Sequence, residues 1–198
     1  DQKGVIWIAA NGFIGRLLET GPGSFHWTSI VIENSNYNVS DVIQDANGDY
    51  WISVYSEGVY KWNEGVIEKY DITNGLVSRS VRTLFEDTNG EIWCASKNGI
   101  SVISEEDVTI FNSTNGLPNE NIEMVVQDQE GNIWLASDGS GVFRFTSEEF
   151  VTFDQSNGLG SNYVMTVVQD STQDYWYGTY GNGITKWDGR NFEYYNVE

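Results

Sequence analysis

The stretch Asp87-Thr-Asn-Gly-Glu-Ile-Trp93 returns forty-one residues later as Asp128-Gln-Glu-Gly-Asn-Ile-Trp134. The match extends in both directions. Trp7, Trp51, Trp93, Trp134 and Trp176 lie 44, 42, 41 and 42 residues apart, and each follows an aspartate by six positions: Asp1, Asp45, Asp87, Asp128 and Asp170. Gly4, Gly48, Gly90 and Gly131 stand three residues after the first four aspartates, whereas the fifth copy has Gln173 there. Self-similarity at a fixed period of this length marks a repeat architecture.

Each copy reads as strands. Before the aspartate runs an apolar, β-branched segment, such as Val81-Arg-Thr-Leu-Phe85 or Tyr163-Val-Met-Thr-Val-Val168, which suits a well-buried strand. Asp and Gly at the first and fourth positions suit a type I turn. The chain then reverses into a Trp-bearing strand, passes a glycine turn (Gly139-Ser-Gly141, Gly181-Asn-Gly183), and continues into a third strand and a fourth, such as Phe150-Val-Thr-Phe153. Asn-Gly-Leu leads to the next copy at Asn74, Asn115 and Asn157. There the glycines serve positive φ and the leucines anchor the loop. No amphipathic helical period occurs, so the reading is all-β.

Four short antiparallel strands per copy of about 42 residues predict a β-propeller over residues 1–198, with about five blades. The first copy lacks its first strand, so the expected count is nineteen. This predicts a partial ring from a larger propeller or an arc closed by a partner. A five-bladed ring with one incomplete blade is the alternative.

The laid-out copies resemble the two-component regulator propeller repeat, in which Asp-x-x-Gly-x-hydrophobic-Trp is followed by small residues, a Gly-rich turn and Asn-Gly-Leu. The first copy fits less well, having only Asn34 and Asn36 in place of Asn-Gly-Leu, as does the fifth with Gln173. The resemblance implies the extracytoplasmic input module of a hybrid two-component regulator, periplasmic or extracellular, often seven-bladed and in several cases recognising oligosaccharides.

Composition narrows the partners. A net charge of −19, with ten Lys and Arg, repels a phosphate backbone and anionic membranes, so neither nucleic acid nor membrane is expected as a partner, and no apolar run has membrane-helix length. Aromatic residues at 14% set the chain apart from a disordered acidic tail. The single cysteine, Cys94, excludes an intrachain disulfide and, aligned with Ile8, Ile52, Leu135 and Tyr177, reads as a buried apolar position.

No catalytic residue, metal ligand or cofactor is assigned. Asp45-Ala-Asn47-Gly-Asp49 resembles the opening of a calcium loop but lacks its sixth-position glycine and distal bidentate glutamate. An aspartate recurring in every copy is better explained by turn chemistry, and the recurring tryptophans as wedges between sheets. His26, the one histidine, offers no Ser-His-Asp set. Repeated residues build the blade, so specialisation belongs to the loops that differ. Those entering the first strand and those joining second to third share one rim, and they carry Tyr55, Arg79, Lys97, Asn121, Asp138, Tyr163 and Tyr180, with Asn98, Glu120 and Asn182 nearby. Aromatic faces with amide, acidic and basic groups suit stacking and hydrogen bonding to sugars, acidic ones included. The leading expectation is a non-enzymatic sensor that binds a small molecule or oligosaccharide. A protein-binding scaffold and a polysaccharide lyase or hydrolase are the alternatives, and a second copy or another chain could complete the ring.

Overall fold

In each described copy the Asp turn folds the chain back so that the first strand pairs antiparallel with the Trp strand. The computed structural model describes residues 5–10, 13–30, 38–63, 65–147 and 149–196. The first copy's turn, Asp1 to Gly4, lies outside them, as do Asn34 and Asn36. Nineteen strands occur among the described residues. The first sheet holds β1 (Ile6–Ala10), β2 (Phe13–Gly21) and β3 (Ser24–Ile30). The second holds β4 (Val39–Gln44), β5 (Tyr50–Val54), β6 (Gly58–Asn63) and β7 (Val66–Tyr70), and the third β8 (Val81–Glu86), β9 (Ile92–Ser96), β10 (Gly99–Ile103) and β11 (Val108–Phe111). β12 (Ile122–Gln127), β13 (Ile133–Ser137), β14 (Gly141–Phe145) and β15 (Phe150–Phe153) form the fourth. The fifth holds β16 (Val164–Gln169), β17 (Tyr175–Thr179), β18 (Ile184–Trp187) and β19 (Phe192–Tyr195).

Every sheet is an antiparallel meander in sequence order. The first strands β1, β4, β8, β12 and β16 each touch the next in turn, which places them on the inner side of a propeller. Among the described residues no comparable contact joins the fifth sheet to the first, so the five blades form an open arc.

The core lies in the seams between sheets. Trp51, Trp93 and Trp134 are 4%, 3% and 0% exposed, and each faces the following sheet. Trp134, for example, packs with Val164, Val167, Tyr175 and Tyr177 of the fifth sheet. Cys94 sits in the seam between the second and third sheets, and burial pushes its thiol up. The Asn-Gly-Leu leucines, Leu76, Leu117 and Leu159, are buried as well, behind glycines at φ 114°, 109° and 112°.

The aspartate does more than shape the turn. Trp51 Nε1 donates to Asp45 at 2.9 Å, Trp93 Nε1 to Asp87 at 3.1 Å, Trp134 Nε1 to Asp128 at 2.7 Å and Trp176 Nε1 to Asp170 at 2.7 Å. The six-residue spacing is therefore a hydrogen bond across the hairpin. A second device joins neighbouring blades at the same end. The backbone N–H of Ala46, Thr88 and Gln129, just after the aspartate, donates to the side chain that ends the next blade's first strand: Glu86, Gln127 and Gln169, at 2.8–2.9 Å.

Gly48, Gly90 and Gly131 hold φ of 89°, 81° and 89°, and Gln173 takes φ 68° in the same place. A side chain in the left-handed region costs about 1–2 kcal/mol, part of which a glycine returns through unfolded-chain entropy. Gln173→Gly is therefore expected to raise stability by about 0.5–1 kcal/mol, read as a higher urea midpoint. An unchanged or lower midpoint would count against this account of the departure.

Candidate functional site

In each complete blade the first strand carries one residue out of ladder register. Pairing slips between Val39 and Asp41, Val81 and Thr83, Ile122 and Met124, and Val164 and Thr166. The residues at the slip are Ser40, Arg82, Glu123 and Met165. A β-bulge re-aims a side chain and frees it from the in-out alternation of its strand. These four therefore stand at the inner end of successive blades, beside the rim formed by the β5–β6, β9–β10, β13–β14 and β17–β18 turns.

At that rim Arg82 bridges the third blade to the fourth. Its guanidinium pairs with Glu123 and donates to Asn121 Oδ1 at 3.1 Å, and Asn121 Nδ2 donates to Asp138 Oδ2 at 2.8 Å. The side chains of Arg82 and Glu123 are 24% and 17% exposed. Burial lowers the Arg82 pKa, while Asp138 and Tyr55 act on it in the opposite direction. Asp138 forms a bridge to Tyr163, whose carbonyl accepts the Tyr180 N–H at 2.9 Å. Tyr55, Tyr163 and Tyr180 stand 56%, 54% and 79% exposed, so their rings are free to meet a ligand.

The seven residues expected from the sequence all lie in loops at this end, and Asn121 and Asp138 among them belong to the Arg82 network. Arg79 and Lys97 take no part in that network among the described residues. Arg79 pairs with Asp71 at 3.4 Å, and Lys97 is exposed in the β9–β10 turn. Glu120 accepts from the Ser113 N–H and hydroxyl, which hold its carboxyl below the usual range, and Asn182 Nδ2 donates to Gly160 O at 3.3 Å. Those two side chains tie down their own loops, and Asn98 donates its backbone N–H to Ser96 Oγ at 3.1 Å. Arg82 and Glu123 were hidden inside strands that read as core. The signal was there: opposite charges occupy one column of adjacent, otherwise apolar copies.

Other places suit a ligand less well. A cleft of about 960 Å³ at the opposite end is walled by Glu68, Glu86, Glu91, Glu105 and Glu106, and its Lys61 is held by Asp49 at 3.0 Å. His26 is exposed on β3. No group of three or more His, Cys, Asp or Glu side chains among the described residues could hold a metal ion.

Residues 116–139, which run from the Asn-Gly-Leu loop through β12 and β13, match the family model described as two-component regulator propeller. Among solved structures, the chain is similar to the extracellular domain of a putative hybrid two-component system of B. thetaiotaomicron, with 26% identity and a TM-score of 0.78. All of this chain is covered, but only 27% of that one. Virginiamycin B lyase of Staphylococcus aureus matches at 16% identity and a TM-score of 0.79, over 100% of this chain and 68% of the lyase. PorZ, a surface component of the type-IX secretion system of Porphyromonas gingivalis, matches at 18% identity and a TM-score of 0.75, over 95% of this chain and 31% of PorZ. At these identities the last two speak to the fold alone. The comparison with curated proteins finds no match. Repeat, fold and family model agree: the chain is a β-propeller that carries a two-component regulator propeller repeat.

Proposed function

We propose that this propeller is the extracellular ligand-sensing part of a two-component signalling protein, and that its rim binds a neutral oligosaccharide without turning it over. The carrying observation is the bulge-held network Arg82–Glu123–Asn121–Asp138, flanked by the exposed rings of Tyr55, Tyr163 and Tyr180. Fixed polar groups beside exposed aromatic faces match a sugar ring, which offers hydroxyls at its edge and an apolar face. The similarity to an extracellular domain of a hybrid two-component system supports the sensor role and location. No helix among the described residues is long and apolar enough to cross a membrane.

The charge balance favours a neutral ligand over an acidic one. Arg82 and Arg79 are committed to Glu123 and Asp71, and Asp138 adds a further negative charge beside Arg82. A uronate would have to displace a carboxylate already in place, a costly exchange for a partly buried pair. Titration calorimetry with neutral and uronate-bearing oligosaccharides tests this. Saturable, nearly salt-independent binding of the neutral set is expected, with no product released. Tyr163→Ala together with Tyr180→Ala should weaken it at least about tenfold, a loss of roughly 1.4 kcal/mol. Since both side chains are more than half exposed, the melting temperature should hold. Unchanged affinity in the double variant would remove these rings from the site, and turnover would replace sensing with catalysis.

A further inference from the structure

Opposite the repeated tryptophan, the third strand of each complete blade carries one residue: Lys61 opposite Trp51, Val102 opposite Trp93, Arg144 opposite Trp134 and Lys186 opposite Trp176. Directly paired residues of an antiparallel ladder share a face. Where that residue is lysine, the chain supplies its counter-charge four positions after the turn aspartate. Lys61 pairs with Asp49 at 3.0 Å and Lys186 with Asp174 at 2.7 Å. In the fourth blade the same place holds Asn132, whose Nδ2 donates to Asp128 Oδ2 at 2.8 Å. Arg144 thus lacks the acid of its column, and among the described residues no ion pair holds it.

The Arg144 guanidinium lies 5.6 Å from the Trp134 ring and 5.8 Å from that of Phe153, and its Nε is buried without a hydrogen-bond partner. The fifth sheet brings a second such group to the same seam. Tyr177 is 0% exposed, and its hydroxyl is likewise buried without a partner. The aligned residues of the preceding blades are Ile52, Cys94 and Leu135, so the hydroxyl occurs in the seam that holds the unpaired arginine. Burial, then Tyr175, push the Tyr177 hydroxyl up, and Arg144 acts in the opposite direction, so the two lie within electrostatic reach. Buried polar groups in folded proteins are nearly always paired, and buried charges carry a counter-charge. A water molecule would accept from both donors yet leave the guanidinium charge unanswered. A monovalent anion answers both.

We propose that Arg144 and Tyr177 form a binding site for a monovalent anion of halide size in the seam between the fourth and fifth sheets. Arg144 Nε and the Tyr177 hydroxyl donate to the anion, while Trp134 and Phe153 keep the guanidinium in place. The anion stands in for the carboxylate that Asp49 and Asp174 provide in the second and fifth blades. Its size follows from the enclosure, since Tyr177 is fully buried and both walls are hydrogen-bonded sheets.

Chloride is the probe. At fixed ionic strength, replacing gluconate by chloride is expected to raise the melting temperature of the full chain by about 2–4 °C. The chloride NMR line should broaden in the presence of the protein and sharpen again when bromide is added. Asn132→Asp restores the acid of the column, so it should remove both responses while the chain stays folded. Tyr177→Phe takes away one donor without supplying an acid. It should weaken chloride binding at least about fivefold, which keeps the test decisive should Asn132→Asp fail to fold. A parent chain indifferent to chloride overturns the proposal and leaves water as the occupant of the seam. Full chloride responses in Asn132→Asp or in Tyr177→Phe overturn it as well, by assigning the anion to another cation.

Discussion

Trp134→Ala is expected to lower the unfolding free energy by about 3–5 kcal/mol, the range for deleting a large buried aromatic side chain. Trp134 is 0% exposed and fills the seam between the fourth and fifth sheets. Its ring lies 4.4 Å from Tyr175 and 5.3 Å from Phe153, and Arg144 sits 5.6 Å from the ring centre. The seam has no flexible wall that could collapse into the gap, because both sides are hydrogen-bonded sheets. Urea denaturation followed by circular dichroism gives the loss. Trp176→Ala supplies the contrast: the same repeat position is only half-buried there, so less than half that loss is expected. Equal losses would show that burial against the next sheet is not what the repeated tryptophan contributes.

Asp128→Ala should cost about 3 kcal/mol, because a charged acceptor is removed while its donors stay buried. Trp134 Nε1 and the Tyr175 hydroxyl both donate to Asp128 Oδ2 at 2.7 Å, and the Asn132 N–H donates to Oδ1 at 2.8 Å. Burial raises the Asp128 pKa, but the bonds from Trp134, Asn132 and Tyr175 together outweigh it and hold the carboxyl below its usual range. Thr172, then Trp176, lower Asp170 in the same direction. A carboxyl depressed on folding contributes stability that is complete above the unfolded value of about 3.9 and is lost as pH falls through the folded value. Urea midpoints should therefore fall steeply below about pH 4 in the parent chain and less steeply in Asp128→Ala. An acid limb of unchanged slope would remove Asp128 from the account.

The same motif shows how far the sequence could be read. Its spacing was enough for the sheets, their order and the nineteen strands, because period and turn chemistry are local properties. That Asp128 holds Trp134 was not legible, since either residue alone already had a sufficient explanation, one as a turn former and the other as a wedge. The rim was legible as a set of loop residues that break the repeat, and Tyr55, Arg79, Lys97, Asn121, Asp138, Tyr163 and Tyr180 all lie in its loops. Arg79 and Lys97 drew notice for their rarity, yet rarity says nothing of direction, and Arg79 points to Asp71. Arg82 escaped because a strand position implies a face, and a bulge cancels that implication.

That cancellation reaches beyond one arginine. A residue inside the ladder answers to two neighbours on its face, so exchanging it disturbs a seam. Ser40, Arg82, Glu123 and Met165 stand outside the ladder, and they already span hydroxyl, cation, anion and thioether on nearly the same backbone. Selection can rewrite this inner row, singly at Ser40 and Met165 and as a pair at Arg82 and Glu123, while the seams stay fixed. Propellers with the same blades can then diverge in what they sense without renegotiating how they fold.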